Sequence, residues 1–231
     1  MTNEKKIAGI NGFGRFGLHL IKYWLDRSEK SSFIIKYIND DFLSLDQSIK
    51  ILKNNKKVLF NKYKILKFEN KIKFLKPDGV IYEVEYSNKK KSHIPWIGKP
   101  DLFFESSGKN TLKKDCIKFL KNNTKIIIIS ATSWDADKTL IYGYNNKEFK
   151  KKYKVISYGS CTVNAFVPLG YFIDKKYGII DADVNVVHNI QEYKLKDNIT
   201  LNRKFCTLEK SGPQLIKSLN SLVFSLKEIP F

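Results

Sequence analysis

The sequence is poor in the features that would staple it with disulfides, fix a metal in it or carry it across a membrane. It has three cysteines, Cys116, Cys161 and Cys206. None stands in a C-x-x-C or Cys/His ligand spacing, which argues against a disulfide framework and a structural zinc site and suits a reducing compartment. No apolar run reaches the roughly 18 residues of a membrane span, and the N-terminus lacks the apolar core of a secretory signal. A cytoplasmic protein with no membrane partner is expected. Acidic residues are scarce too, 23 Asp and Glu against 42 Lys and Arg, which leaves a net charge of +19. Such an excess favours anionic partners. The lysines nevertheless fall in scattered short runs, Lys89-Lys90-Lys91, Lys150-Lys151-Lys152 and Lys175-Lys176, with no zinc-finger, RNP or basic-zipper pattern among them. They read as a solvated surface, and nucleic acid is not the expected partner. No glycine-rich or proline-rich linker divides the chain, whose length allows one large domain or two small ones.

What is present follows an order. Lys6 to Ile10 has the apolar character of a short buried strand and runs into Gly9-Ile10-Asn11-Gly12-Phe13-Gly14-Arg15-Phe16-Gly17. This is G-x-G-x-x-G at Gly12, Gly14 and Gly17. The first glycine permits the tight turn, the second lets the backbone approach a pyrophosphate, and the third lets the next helix pack closely on the strand. Leu18, Leu20, Ile21, Trp24 and Leu25 then recur at helical spacing, so the amides of Arg15 and Phe16 would point at the phosphates. A second strand, Phe33 to Ile38, ends at Asn39-Asp40-Asp41. Asp40 lies about 23 residues beyond Gly17, near the interval at which an acidic residue accepts from the adenosine ribose hydroxyls. Its charge would repel a 2'-phosphate, so the expected cofactor is NAD.

A helix over Ser44 to Leu52 and short strands between Tyr63 and Tyr86, broken at Glu69-Asn70 and Pro77-Asp78-Gly79, come next. A third core strand, Leu102 to Glu105, ends in Ser106-Ser107-Gly108. A helix over Leu112 to Leu120 returns to a fourth strand, Lys125 to Ser130, and a further short strand is expected at Leu140 to Tyr144. Cys116 on that helix reads as core, and His93 as a surface or packing residue. The repeated strand-helix-strand units predict an α/β doubly wound parallel sheet, with Ser107, Gly108 and Ser130 at the carboxyl edge where ligands bind.

The second half is organised around Ser160-Cys161-Thr162-Val163-Asn164, between a strand-like run, Tyr153 to Ser157, and an apolar helix-length segment, Ala165 to Ile173. A cysteine at a helix start has the positive end of the dipole and free amides to stabilise a thiolate and an oxyanion. Asp183 to Val187 reads as a strand that presents His188, followed by a polar loop from Asn189 to Ser211 and a helix from Pro213 to Leu222, with the proline in its first turn. Taken singly, Cys161 reads as a buried core thiol and His188 as a structural imidazole. Together, in a dinucleotide-binding chain, they read as nucleophile and base. His19 and His93 sit in less suitable contexts. The domain boundary is expected where the cysteine helix begins, giving a dinucleotide-binding domain over 1–160 and a second domain over 161–231.

These stretches, with Ile94-Pro95-Trp96, Ile129-Ser130-Ala131-Thr132-Ser133, Gly143-Tyr144-Asn145 and Val187-His188, resemble the glyceraldehyde-3-phosphate dehydrogenase family in order and approximate spacing from about Lys6 to Phe231. The resemblance implies a Rossmann domain followed by an incomplete α+β catalytic domain, and NAD-dependent phosphorylating oxidation of glyceraldehyde 3-phosphate or a related aldehyde, a step of glycolysis, through a thioester on Cys161 assisted by His188. By the match, Arg15, Phe16, Asp40, Ser107 and Ser130 contact NAD, and Ser160, Thr162 and Ser211, beside Gly212, receive inorganic phosphate, Ser211 standing in for a threonine. It implies a homo-oligomer, or a partner that covers the open sheet of a chain shortened at its C-terminus. Three departures stand out: Gln191 for the threonine that holds the substrate's own phosphate, Glu228 for the arginine of that site, and Ala165 for a second cysteine. Glu228 and the short C-terminus leave open an alternative, an NAD-binding interaction protein of the same fold with weak or lost catalysis.

Overall fold

The structure, a computed structural model, describes residues 4–190 and 207–230, with residues 189, 190 and 228–230 described through their backbone alone. Gln191 and Cys206 lie outside the described residues, as does the side chain of Glu228. Two compact units are present: one comprises residues up to Thr139 with Lys150–Ser157, the other Leu140–Phe149 with the described residues from Tyr158 onward.

The first unit is a nine-stranded sheet in the order β3-β4-β5-β2-β1-β6-β7-β9-β8. At its centre β1 (Lys6–Asn11) pairs in parallel with β2 (Phe33–Asn39) on one side and β6 (Leu102–Glu105) on the other. The strand order therefore reverses at the carboxyl end of β1, the place where open α/β sheets leave a crevice for ligands. Beyond β6 lie β7 (Ile126–Ile129), β9 (Val155–Ser157) and the short edge strand β8 (Lys138–Thr139), all parallel. Four consecutive isoleucines in β7 suit a strand covered on both faces. On the other flank β5 (Ile81–Ser87) runs parallel to β2, while β4 (Lys71–Leu75) and β3 (Lys64–Phe68) turn back antiparallel. In β4 buried Ile72 and Phe74 alternate with lysines, the pattern of a sheet with one wet face.

Helix α1 (Arg15–Asp26) buries Gly17, Leu18, Ile21, Trp24 and Leu25 along one stripe. Helix α2 (Leu45–Asn54) starts with a reciprocal cap, in which the Ser44 hydroxyl accepts from the Gln47 amide and the Gln47 side chain accepts from the Ser44 amide. Trp96 is nearly fully buried, stacks on Tyr37 and packs on Phe103. A Cβ on Gly9 would come within 2.5 Å of its ring, so the Ile94-Pro95-Trp96 element seats β1. His93 is exposed, as expected.

The helix expected over Leu112 to Leu120 is a single turn, α3 (Lys113–Cys116), followed by a 3-10 turn over Ile117–Phe119. Cys116 and Phe119, three residues apart and both without solvent exposure, enter the core together, and the tighter turn eclipses side chains at that spacing. The strand expected over Leu140 to Tyr144 is a turn instead, with the pairing one step earlier, in β8. Asn145 holds it: its side chain accepts from the Ile141 amide and its own amide donates to the Ile141 carbonyl.

In the second unit α4 (Cys161–Tyr177) and α5 (Thr207–Leu215) pack with a two-stranded parallel sheet, β10 (Asp181–Ile190) and β11 (Ser221–Pro230). Val163, Val167, Leu208, Ile216, Leu219 and Leu222 form its core with Ile141. The helix expected over Pro213 to Leu222 thus lies earlier, over Thr207–Leu215, with Pro213 in its interior. Residues from Ser221 form a strand because Leu222, Phe224 and Leu226 turn inward while Val223, Ser225 and Lys227 face solvent, a period of two that no helix accommodates.

Candidate active site

In the first unit the glycine turn is set by close approach. Gly12 has φ +98°, and a Cβ there would lie 2.4 Å from the Ser107 amide nitrogen. A Cβ on Gly17 would lie 2.4 Å from the Gly12 carbonyl oxygen. Gly14, at the N-cap of α1 with φ −77°, has nothing within 4 Å of where its Cβ would stand. Two glycines are therefore required by the protein's own backbone, and the third fronts open space. The first intrahelical bond runs from the Leu18 amide to the Gly14 carbonyl, leaving the amides of Arg15, Phe16 and Gly17 as the helix-start donors. Arg15 and Phe16 are exposed beside them. Open space before a glycine cap, with free amides at the positive end of a helix, fits a dinucleotide pyrophosphate.

Asp40 directly follows β2, and its carboxylate turns inward. Oδ2 accepts from the Phe13 amide at 2.7 Å, and Oδ1 from the amides of Phe42 and Leu43 at 2.9 and 2.8 Å. It is only 8% exposed and ties the glycine turn to the end of β2. At the end of β6 stands a group that the sequence reading passed over, Glu105. It is buried, accepts from Asn11 Nδ2 at 2.8 Å, Asn110 Nδ2 at 3.0 Å and the Ser107 amide at 2.9 Å, and takes a short bond from the Ser107 hydroxyl. Burial pushes its carboxyl above the ordinary glutamate range despite these donors. The signal was a charged residue closing an otherwise apolar strand. Ser107 and Gly108, the latter at φ +70°, lie just beyond β6, and Ser130 just beyond β7, where its hydroxyl donates to the Glu105 carbonyl at 3.2 Å. The structure thus gathers Gly12, Gly14, Gly17, Asp40, Ser107 and Gly108 at the carboxyl ends of β1, β2 and β6, with Ser130 one strand farther out.

In the second unit Ser160 caps α4, its hydroxyl accepting from the Val163 amide at 3.2 Å, and Cys161 is the first helical residue. Asn164 fixes the approach to the cap, donating to the carbonyls of Tyr158 and Ser160. Cys161 is exposed. Along β10, Ala182, Val184, Val186 and His188 are half-buried, whereas Asp181, Asp183, Asn185 and Val187 are exposed. This alternation puts His188 on the inward face, and His188 Nε2 lies 3.4 Å from Cys161 Sγ. The ring's Nδ1 is buried and has no hydrogen-bond partner among the described residues. In the parallel register His188 stands opposite Glu228.

Beside the pair is a cluster of hydroxyls. Ser160 Oγ and Thr162 Oγ1 are 3.0 Å apart, and Thr207 Oγ1, at the start of α5, donates to Ser160 Oγ at 2.9 Å. Ser211 and Gly212 fall in the middle of α5, both buried, and a Cβ on Gly212 would come within 2.7 Å of Leu222. The hydroxyl that reaches Ser160 is therefore Thr207's. Its sequence signal was a threonine before Leu208-Glu209, which suits a helix start.

No protein-family model matches the chain. Curated relatives do. The chain is 31% identical over 188 residues to the cytosolic glyceraldehyde-3-phosphate dehydrogenase of Pisum sativum, covering 79% of this chain and 52% of that protein. It is 35% identical over 185 residues to the glyceraldehyde-3-phosphate dehydrogenase of Yarrowia lipolytica, with the same two coverages. It is 30% identical over 194 residues to the cytosolic enzyme of Sinapis alba, covering 82% of this chain and 55% of that one. The chain spans about half the length of the curated relatives it matches.

Proposed function

The chain is a divergent member of the glyceraldehyde-3-phosphate dehydrogenase family, and from that premise we propose that it oxidises an aldehyde, glyceraldehyde 3-phosphate or a close relative, to an acyl phosphate through a thioester on Cys161, with NAD as cofactor. The observation that carries the proposal is the 3.4 Å approach of His188 Nε2 to the exposed Cys161 Sγ at the start of α4. An imidazole at that distance can take the thiol proton and leave a thiolate at the positive end of the helix.

The thiolate attacks the aldehyde carbon, forming a C–S bond, and the imidazolium returns its proton to the developing oxyanion. The product is a hemithioacetal beside a neutral His188. Bound NAD supplies the hydride acceptor. As the carbon loses hydride, His188 Nε2 takes the hydroxyl proton, and a thioester remains on Cys161. Inorganic phosphate, held by the hydroxyls of Ser160, Thr162 and Thr207, attacks the thioester carbon, and the C–S bond breaks to regenerate the Cys161 thiolate. Buried Ser211 and Gly212 hold α5 in place so that Thr207 presents its hydroxyl. On the cofactor side, the amides of Arg15, Phe16 and Gly17 receive the pyrophosphate in front of Gly14, while Gly12, Ser107, Gly108 and Ser130 shape the strand ends and Asp40 braces the turn. Assembly into a homo-oligomer in the cytoplasm belongs to the same reading.

Protein mixed with NAD, phosphate and glyceraldehyde 3-phosphate should form NADH, and Cys161→Ser should abolish it. No NADH above that variant's background overturns the catalytic reading in favour of an NAD-binding interaction protein.

A further inference from the structure

We propose that the outer edge of β3 is a docking strand for an extended acidic peptide, which sets one apolar side chain in a pocket beside it. The inference is independent of the dehydrogenase reading. β3 ends the sheet in the order β3-β4-β5-β2-β1, so three strands separate it from the crevice at β1. It pairs with β4 on one side. Along its other side no strand lies among the described residues, and an unpaired strand edge is a template for one more extended segment.

The pocket is built by the last turn of α2, the loop that follows it and the start of β3. It measures about 150 Å³, and its lining includes Leu52, Lys53, Leu59, Phe60, Tyr63 and Ile65. The loop is held at both ends. Asn55 Oδ1 accepts from the amides of Lys57 and Val58 at 2.9 and 2.7 Å, and the Tyr63 amide donates to the Phe60 carbonyl at 2.9 Å. The Tyr63 hydroxyl donates to Asp26 Oδ1 at 2.5 Å, tying that wall to α1. The pocket is therefore preformed. Side chains alternate along a strand, and β3 turns Ile65 to the pocket and Lys64 and Leu66 to the solvent face. A peptide laid along β3 would likewise turn every second residue to the pocket.

Charge selects the occupant. Residues 50–68 hold seven lysines and no Asp or Glu. Lys67 is paired with Asp46 at 2.7 Å, and Lys62 acts on Asp26. Lys50, Lys53, Lys56 and Lys64 are exposed, with no ion pair among the described residues. A second copy of this chain would bring the same lysines to the edge and be repelled, which is how edge strands are kept from pairing with themselves. Carboxylates are attracted to it. A nucleic acid would meet the lysines and leave both the strand edge and the apolar pocket unfilled, so the three features together favour a peptide.

The probe is a capped heptapeptide in which glutamate alternates with threonine and leucine replaces the central threonine. Titrated into the full chain at low salt, it should bind at least about tenfold more tightly than versions with asparagine for the leucine or glutamine for the glutamates. The advantage over the glutamine version should shrink as salt brings the Debye length below about 10 Å. Two versions N-methylated at alternate residues, one in each phase, should differ, because only one phase blocks the amides that face β3. Amide NMR shifts should be largest along β3, and Lys53→Glu with Lys64→Glu should weaken binding at least about fivefold at an unchanged urea midpoint. The peptide comparisons decide the matter even where that double variant does not fold. No binding up to about 1 mM, equal affinity for the asparagine version, equal affinity for the two methylated versions, shifts away from β3, or undiminished binding by the folded double variant overturns the inference. A uridine decanucleotide that binds more tightly and displaces the peptide assigns the lysines to RNA and overturns it as well.

Discussion

Alanine at Gly12 and alanine at Gly14 should separate folding from cofactor binding within a single turn of chain. At Gly12 the substitution meets two costs. A side chain at φ +98° occupies a sparsely allowed region, worth about 1–3 kcal/mol. The new Cβ would also lie 2.4–2.5 Å from the Ser106–Ser107 backbone, which cannot swing aside as a side-chain tip could, and such overpacking adds about 1–3 kcal/mol. The sum, about 2–6 kcal/mol, is a large part of the roughly 5–15 kcal/mol that holds an ordinary domain together. At Gly14 the backbone is already at φ −77° and nothing lies within 4 Å. Alanine there gains about 0.4–1 kcal/mol from the unfolded chain and loses a similar amount as a poorer helix cap, leaving stability nearly unchanged. The methyl group fills the space in front of the helix-start amides, so NAD affinity should fall by about tenfold or more. Urea denaturation and calorimetry on the two variants check both halves. A Gly12→Ala protein with the wild-type midpoint, or a Gly14→Ala protein with wild-type NAD affinity, would refute the reasoning.

Asp137 accepts from the Lys154 and Val155 amides and from Lys113 Nζ. Burial alone would raise its pKa, but these donors outweigh it and hold the carboxyl below the ordinary value of 3.8. A lowered folded pKa means stabilisation that is complete above 3.8 and lost as pH falls through the folded value. Asp137→Asn should therefore cost about 1–3 kcal/mol at neutral pH and nothing extra in strong acid, as denaturation curves across pH would read. Iodoacetamide at mildly alkaline pH should label Cys161, which is exposed, and spare Cys116, which has no solvent exposure and whose thiol is pushed up to about 12 by burial; peptide mapping distinguishes the two. Glu228 takes the place of the arginine that the resemblance implies at the site of the substrate's own phosphate, and there replacing a like charge with an opposite one at ~4 Å is worth about 1–2 kcal/mol in water. Glu228→Arg should lower KM for glyceraldehyde 3-phosphate about tenfold relative to unphosphorylated glyceraldehyde, in steady-state comparison of the two aldehydes.

The glycine turn, α1 and the four-isoleucine strand β7 were legible because each is a local device: a backbone requirement, a stripe at helical period, a run apolar on both faces. Cys161 and His188 were legible as a pair by their positions at a helix start and a strand end, although 27 residues separate them. Distance along the chain hid other features. That Asp40 also braces the glycine turn was hidden, because the amides it serves, those of Phe13, Phe42 and Leu43, meet it only once β1 and β2 are paired. The leucines after Pro213 carry enough apolar residues for a helix, and the alternation that makes β11 acquires meaning only beside β10. Thr207 was passed over for Ser211 because which hydroxyl reaches Ser160 depends on where α5 begins, and helix boundaries are weakly marked in sequence.

The central claim is that Cys161, activated by His188, carries the acyl group between oxidation and phosphate transfer. Intact-mass measurement of the protein mixed with NAD and glyceraldehyde 3-phosphate in phosphate-free buffer tests it most directly. The expected result is one acyl adduct per chain, mapped to Cys161, released on addition of phosphate and missing from a His188→Ala protein sampled at the same early time. An unmodified mass in the wild-type protein, or an adduct mapped to another residue, would contradict it.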